Sequence, residues 1–244
     1  MSSFTQIIQM ARSSILSNLS NLDVVSNNLA NINTTGYKST RLNFQELLTE
    51  NNKNGVQESS TQSHFTQGSV NFTGNPLDIM ISGHGFFAVE KENGDIAYTR
   101  DGSFNLDSDS SIVDGSGNAL VWDGEIPADA NKVEINATGS VRVNIAGVWQ
   151  DAGQIQLYEF NNPSGMRIIG DNLRLETVES GAPIEGLPMD AGFGYIIDES
   201  LESSNVDYGT ELVRMITLQR SFDVSIKNLQ QTDLMLGMAI NMRR

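Results

Sequence analysis

Two histidines, His64 and His84, and a run of aspartates, Asp107, Asp109 and Asp114, are the residues of this chain best suited to chemistry. Histidine titrates near neutrality, so it can move protons or hold a metal. Several carboxylates on one loop suit a hard cation such as calcium. The surroundings argue against both uses. His64 sits in a polar stretch, and His84 lies between glycines in Ser82-Gly83-His84-Gly85, which reads as a surface turn. An EF-hand loop begun at Asp107 needs a glycine near Ile112 and a glutamate near Asn118, and the chain has neither. These acids are expected to cap a hairpin turn instead, because aspartate side chains accept hydrogen bonds from their own backbone. Gly83-His84-Gly85 opens like a dinucleotide loop, but its sixth position is Ala88 and no helix pattern follows. No HExxH, GxSxG or phosphate-loop pattern occurs. No carboxylate pair stands in the aromatic surroundings that a sugar cleft needs. The absence of cysteine removes disulfides and thiolate metal sites. The sequence therefore predicts no catalytic, metal or cofactor site, and a protein that is not an enzyme.

The elements that frame these residues are of two kinds. At the N-terminus apolar residues recur at alternating steps of four and three: Phe4, Ile8, Ala11, Ile15, Leu22, Val25, Leu29 and Ile32, with Asn18 the one polar seam position. This heptad predicts a helix of about 30 residues, roughly 45 Å long, stopped by Thr34, Thr35 and Gly36. The C-terminus repeats the pattern with Tyr208, Leu212, Met215, Phe222, Ile226, Leu229, Leu236 and Ile240, interrupted by Gln219 and Asp233. Ser204 or Asn205 is the expected N-cap. Beside this seam runs a second apolar set, Val213, Ile216, Val224, Leu234, Met235 and Met238. A helix apolar on two faces needs cover on both. One N-to-C helix pair would leave part of it exposed, so further partners are expected.

Between the ends, short alternating runs are separated by Gly, Asp, Asn and Ser, which is strand-and-turn chemistry. Strands are predicted over 79–81, 86–90, 97–99, 112–113, 132–135, 141–145, 155–160 and 173–176, with turns at 92–95, 107–110, 114–117 and 161–165. Phe86 and Phe87 are adjacent on one strand, so one ring should enter the core and the other the opposite face. The predicted fold is α+β: paired N- and C-terminal coiled-coil-type helices, residues 1–35 and 205–244, around a central all-β domain, residues 76–204. Residues 36–75, rich in Asn, Gln, Ser, Thr and Gly, read as an extended connector.

Charge follows the same division. Residues 1–44 carry three Lys/Arg against one acid and residues 205–244 five against four, whereas residues 45–204 carry seven against 25. A net charge of −15 argues against a phosphate-binding surface, so no nucleic acid is expected. The near-neutral ends suit packing, and the acidic middle suits solvation. No apolar run approaches the ~20 residues that cross a bilayer, so no direct membrane insertion is expected. The first residues lack the pattern of a cleavable Sec signal.

Three stretches resemble the flagellar rod and hook protein family. The first runs from Leu22 to Lys38 through Ser26-Asn27-Asn28-Leu29-Ala30-Asn31-Ile32 and Thr35-Gly36-Tyr37-Lys38. The second comprises Asn75-Pro76-Leu77-Asp78, Gly83 to Val89, and Tyr98-Thr99-Arg100-Asp101-Gly102-Ser103-Phe104. The third runs Glu202-Ser203-Ser204-Asn205-Val206-Asp207, then Glu211 to Phe222, then Thr232-Asp233. Their order and spacing make the match specific. The resemblance implies a structural subunit of the basal-body rod, located in the periplasm-spanning part of the bacterial flagellum. It also implies helical homo-oligomers, contacts with other rod and hook proteins, and passage through the flagellar type III export apparatus. The length favours a rod protein over a hook protein. The distal rod type is the first reading, and the short interval of residues 39–75 keeps the proximal type open. From another class, a secreted β-rich adhesin or binding module with helical stalks remains the rival.

On this reading the assembly interface comprises Ile8, Ile15, Leu22, Val25, Asn27, Asn28, Leu29 and Asn31 of the first helix. The second helix supplies Leu212, Met215, Ile216, Phe222, Ile226, Leu229 and Leu236. Asn27, Asn28 and Asn31 would hydrogen-bond backbone at a helix end or across an interface. An isolated C-terminal helix would expose its seam to water, so both ends are expected to be largely unfolded in a dilute monomer and to fold on assembly.

Overall fold

A computed structural model describes residues 2–46 and 56–241. It divides into two compact units. The first comprises α1 (Ser2–Ala30), the strands β1 (Thr40–Glu46) and β2 (Val56–Ser63), and α2 (Tyr208–Asn241). The second takes in residues 32–38 and 65–205 and is built of antiparallel strands.

In the first unit α1 and α2 pack against each other. Three hydrogen-bonded pairs, Asn28–Glu211, Asn18–Ser221 and Ser14–Ser225, fix them as antiparallel. Each step back along α1 is matched by an equal step forward along α2, so the register holds over four turns or so. α1 ends earlier than its apolar pattern: Ala30 is the last helical residue, and the amide of Asn31 divides between the carbonyls of Asn27 and Asn28, each at 3.2 Å. α2 starts later than expected. Neither Ser204 nor Asn205 caps it; Asp207 does, accepting from the Thr210 amide at 2.7 Å. Hydrogen bonds from Thr210, side chain and backbone, hold the Asp207 carboxyl below the usual carboxylate range.

The stretch expected as an extended connector, residues 36–75, departs from that expectation. Much of it is the β1–β2 hairpin, with a bulge between Asn43 and Phe44, followed by a third strand, β3 (Val70–Phe72). β2 is polar at every position after Val56, so it lacks the two-residue alternation by which a half-buried strand is read. Asn28 ties the hairpin to α1: its Oδ1 accepts from the Thr40 amide at 2.9 Å, and its Nδ2 donates to the Thr40 carbonyl at 3.0 Å.

The second unit continues with β4 (Met80–Ser82), β5 (Phe87–Glu90), β6 (Ile96–Thr99), β7 (Asn105–Leu106), β8 (Ile112–Val113) and β9 (Ala119–Leu120). Then come β10 (Asp123–Gly124), β11 (Lys132–Ile135), β12 (Ser140–Ile145), β13 (Val148–Gln154) and β14 (Leu157–Glu159). The last are β15 (Arg167–Gly170), β16 (Leu173–Leu175), β17 (Ile184–Gly186), β18 (Tyr195–Ile197) and β19 (Ser200–Glu202). The largest sheet has the order β15-β16-β6-β5-β9-β8-β7, and a smaller one has the order β10-β13-β12-β11. Two-stranded pairs β14–β17, β18–β4 and β19–β3 complete the unit. The eight predicted strands are present with ends shifted by a residue or two, and the predicted turns fall between strands. β13 escapes the pattern because Val148 and Trp149 stay exposed and its ladder with β12 carries a bulge.

Two apolar clusters lie on the two faces of β5. Phe87 packs edge-on against Phe104, ring centroids 5.5 Å apart, within the larger cluster that includes Ile79, Ile112, Val141 and Leu157. Phe86 turns the other way, against Phe65 at 5.6 Å and Phe160 at 6.0 Å. The expected division of the two rings is thus present, with both rings buried.

Truncating Phe87 to alanine removes a fully buried aromatic ring and leaves a cavity, so unfolding should cost about 3–5 kcal/mol less. The same change at Phe72, which is 77% exposed, should stay within ~0.5 kcal/mol. Urea denaturation followed by tryptophan fluorescence measures both, and equal effects would contradict this placement of the core.

Candidate functional site

Most of the residues that the sequence assigns to an interface lie on the helical faces. On α1, Val25 is buried and Ile15, Leu22 and Leu29 are half-buried. On α2, Leu212, Met215, Phe222, Ile226 and Leu229 are half-buried. At ~100° per residue these α2 positions span an arc of about 100°. The polar seam position Asn18 of α1 donates to the Ser221 hydroxyl of α2 at 3.4 Å. Ile8 is 38% exposed, beyond most of that cover. The Leu236 side chain lies outside those described.

The asparagines divide. Asn28 is fully buried and satisfied within the chain by Thr40 and Glu211. Asn27 is exposed and accepts, through its carbonyl, from the Asn31 side chain at 2.8 Å. Asn28 and Asn31 therefore fasten the end of α1 and the hairpin.

The second apolar set on α2 is open to solvent: Val213, Ile216, Val224, Leu234, Met235 and Met238 are each 50–67% exposed. By the same helical geometry all six fall within one arc of about 100°, centred roughly 140° from the seam. Leu16 and Leu19 on α1 are exposed as well. Their signal was an apolar pair just off the heptad seam.

Inside the β unit, a buried ionic node joins residues from all three signature stretches. Glu202 has no solvent-exposed side-chain surface, and its Oε1 accepts from Lys38 Nζ at 2.5 Å and from the Gly68 amide at 2.8 Å. Its Oε2 lies 3.7 Å from Nη1 of the buried Arg100. Arg100 donates to the carbonyls of Gly83 at 2.8 Å and Ile81 at 3.4 Å, with its guanidinium 5.2 Å from the Phe86 ring centroid. Lys38 also donates to the Thr66 carbonyl at 2.9 Å. Burial pushes the Lys38 ammonium below its usual range, against the upward pull of Glu202. Burial likewise lowers Arg100, again opposed by Glu202.

Backbone approach around the node is too close for side chains. Gly36 has φ +66° and donates to the Glu202 carbonyl at 2.7 Å, and a Cβ there would sit 2.5 Å from the Arg100 carbonyl carbon. At Gly68 a Cβ would come within 1.8 Å of the Ser203 oxygen. Asn205 closes the ring of contacts, its amide reaching the Tyr37 carbonyl at 3.3 Å and its side chain the Thr66 carbonyl at 3.0 Å. Lys38, Arg100 and Glu202 were not singled out from the sequence. Opposite charges in separate signatures were the only signal.

The residues suited to chemistry take the turn roles expected of them. Asp114 accepts from the amides of Ser116 and Asn118 at 2.8 and 2.9 Å, and Asp107 accepts from the Ser108 amide at 2.7 Å. His84 is exposed between Gly83 and Gly85, both at positive φ. Among the described residues no three His, Asp or Glu side chains gather where they could hold a metal, and no helix is long and apolar enough to cross a membrane.

Three family descriptions match the chain in order. "Flagella basal body rod protein" matches residues 8–38, "Flagellar hook protein FlgE/F/G D1 domain" residues 80–143, and "Flagellar basal body rod FlgEFG protein C-terminal" residues 197–242. The chain is 38% identical to the flagellar basal-body rod protein FlgG of Agrobacterium fabrum, across 88% of this chain and 90% of that one. It is 36% identical to FlgG of Borreliella burgdorferi, across 92% and 93%. With FlgG of Caulobacter vibrioides it shares 34% identity across 98% and 99%.

Breaking the node from one side should be costly. Lys38→Met leaves Glu202 buried without its closest cation, and about 3–5 kcal/mol of stability should be lost. Adding Glu202→Met should recover part of that loss, because an apolar pair needs no counter-charge. Urea melts of the two single variants and the double variant test this, and strictly additive losses would contradict it. By contrast, alanine at His64, His84, Asp107 and Asp109 together should shift stability by no more than about 1–2 kcal/mol and leave swimming intact. Motility lost with fold and export preserved would point to chemistry at those residues.

Proposed function

The chain belongs to the flagellar basal-body rod protein family, and from that premise we propose that copies of it assemble helically, through α1 and α2, into the distal part of the rod. It is a structural subunit of the flagellar rod. The observation that carries the assembly reading is the second apolar stripe of α2. Burying a large aliphatic side chain is worth ~1.5–3 kcal/mol, and six such side chains stand half or more exposed on one arc. Neighbouring helices would cover that arc, and the seam between α1 and α2 would act as a coiled-coil-type pair carrying the stripe outward. The FlgG identity of the similar proteins favours the distal over the proximal type, and the adhesin reading has no comparable support. No enzymatic role is proposed.

The remaining parts of the reading follow from the same surfaces. Other rod and hook proteins are the expected neighbours along the axis. Passage through the type III export apparatus suits a chain whose helices gain full cover only after assembly. In one chain each helix covers a single face of the other, so ordering costs of ~1–2 kcal/mol per residue are offset only in part. Folding of the ends and assembly would then be one coupled step.

Two outcomes test this. Val213→Asp combined with Val224→Asp should leave the β unit folded, abolish polymer formation at high concentration and abolish swimming. Polymers indistinguishable from wild type would refute a role for the stripe. In amide hydrogen exchange on a verified dilute monomer, residues 2–30 and 208–241 should exchange rapidly while strands β4 to β6 stay protected. Strong protection of both helices would mean that pairing within one chain suffices, and the coupling would have to be given up.

A further inference from the structure

The β unit holds a groove of about 530 Å³ beside the outer strands β7 and β11, with which α1 and α2 share no residue. Leu77, Leu106 and Trp149 line it together with the carboxylates of Glu134, Asp198 and Glu199. Leu106 is 41% and Trp149 39% exposed. An open aromatic and leucine surface is unusual on an acidic, solvated unit and is characteristic of an interface. Three carboxylates against the single lining cation, Lys132, call for a basic side chain with an apolar neighbour.

The unit's own cations leave one source. Lys38, Arg100 and Arg174 are buried. Lys91 sits in an acidic turn between Glu90 and Glu92. Arg142 already lies 5.9 Å from the Trp149 ring centroid. Arg167 is exposed on β15, and beside it Ile168 is 49% exposed. β15 and β7 are the opposite outer strands of the seven-stranded sheet, so no single copy needs to bring them together.

We propose that the groove receives the β15 edge of a second copy, Arg167 meeting the carboxylates of Glu134, Asp198 and Glu199 while Ile168, on the other face of the strand, stands at the groove's rim near Leu106. Because knob and groove stand at opposite ends of one sheet, the contact is head-to-tail. Such a contact repeats along a line or helix and does not close into a two-fold pair. This rests on the rod reading, in which copies stand side by side, and it gives the β units a contact of their own.

The chain has no cysteine, so introduced thiols report proximity cleanly. Ile168→Cys in one full-length preparation and Leu106→Cys in another, mixed under polymerising conditions and treated with a short bis-maleimide, should give mixed dimers. Either preparation alone should give far fewer. Arg167→Glu on the first chain should lower the yield about tenfold, equivalent to 1.4 kcal/mol. Asp198→Arg with Glu199→Arg on the second should restore it. Both thiol positions are surface sites, and sedimentation of the same samples reports assembly. Polymers that form without mixed dimers would overturn the docking and leave the helical assembly standing. Absence of both polymers and mixed dimers would overturn both readings.

Discussion

A carboxylate shut away from water must be met by cations and amides, and the Glu202 side chain is fully buried. Leaving it unpaired would cost several kcal/mol. The β unit meets this demand by gathering Lys38, the Gly68 amide and Arg100, which come from three distant parts of the chain. Glycine at 36 and 68 is the condition for that approach, since a Cβ at either would overlap backbone. The arrangement is costly in desolvation, since Glu202 Oε2 and Arg100 Nε are buried without a hydrogen bond, and specific in geometry: an apolar core tolerates small shifts, whereas the bonds of Glu202 Oε1 need one register.

That register has consequences for the rest of the unit. Arg100 follows β6, and Glu202 ends β19, so the node ties the large sheet to the β19–β3 pair. Phe86 packs beneath the Arg100 guanidinium, and Phe65 lies against Arg174 at 4.8 Å, which joins the smaller aromatic cluster to the same charges. Residues 36–38, 65–68 and 202–205 are also the places where the chain enters or leaves the β unit. One set of bonds therefore closes both the unit and its connections.

The helical unit is built on the opposite logic. Among the described side chains of α1, the fully buried polar one, Asn28, sets the hairpin against the helix, while most of the described apolar positions on both helices are half-buried or exposed. Open apolar faces of this kind are characteristic of interfaces, which suits a family of axial structural proteins.

The sequence alone determined the features written within single elements. Heptad spacing from Ile8 to Leu29 and from Leu212 to Leu229 marked the two helices, alternation marked Lys132–Ile135 and Ile112–Val113, and Asp107 and Asp114 marked their turns. The second stripe of α2 was legible for the same reason, since helical periodicity fixes which residues share a face. Tertiary structure decided what depends on distant segments meeting. Lys38 and Glu202 are 164 residues apart, and nothing in the local pattern around either residue specifies the other. The β1–β2 hairpin was hidden because β2 is polar at every position after Val56, and Asp207 took the cap while Asn205 is held by the carbonyls of Tyr37 and Thr66. The groove beside β7 and β11 exists only once two sheets are placed side by side, a matter of long-range packing that no run of neighbouring residues records.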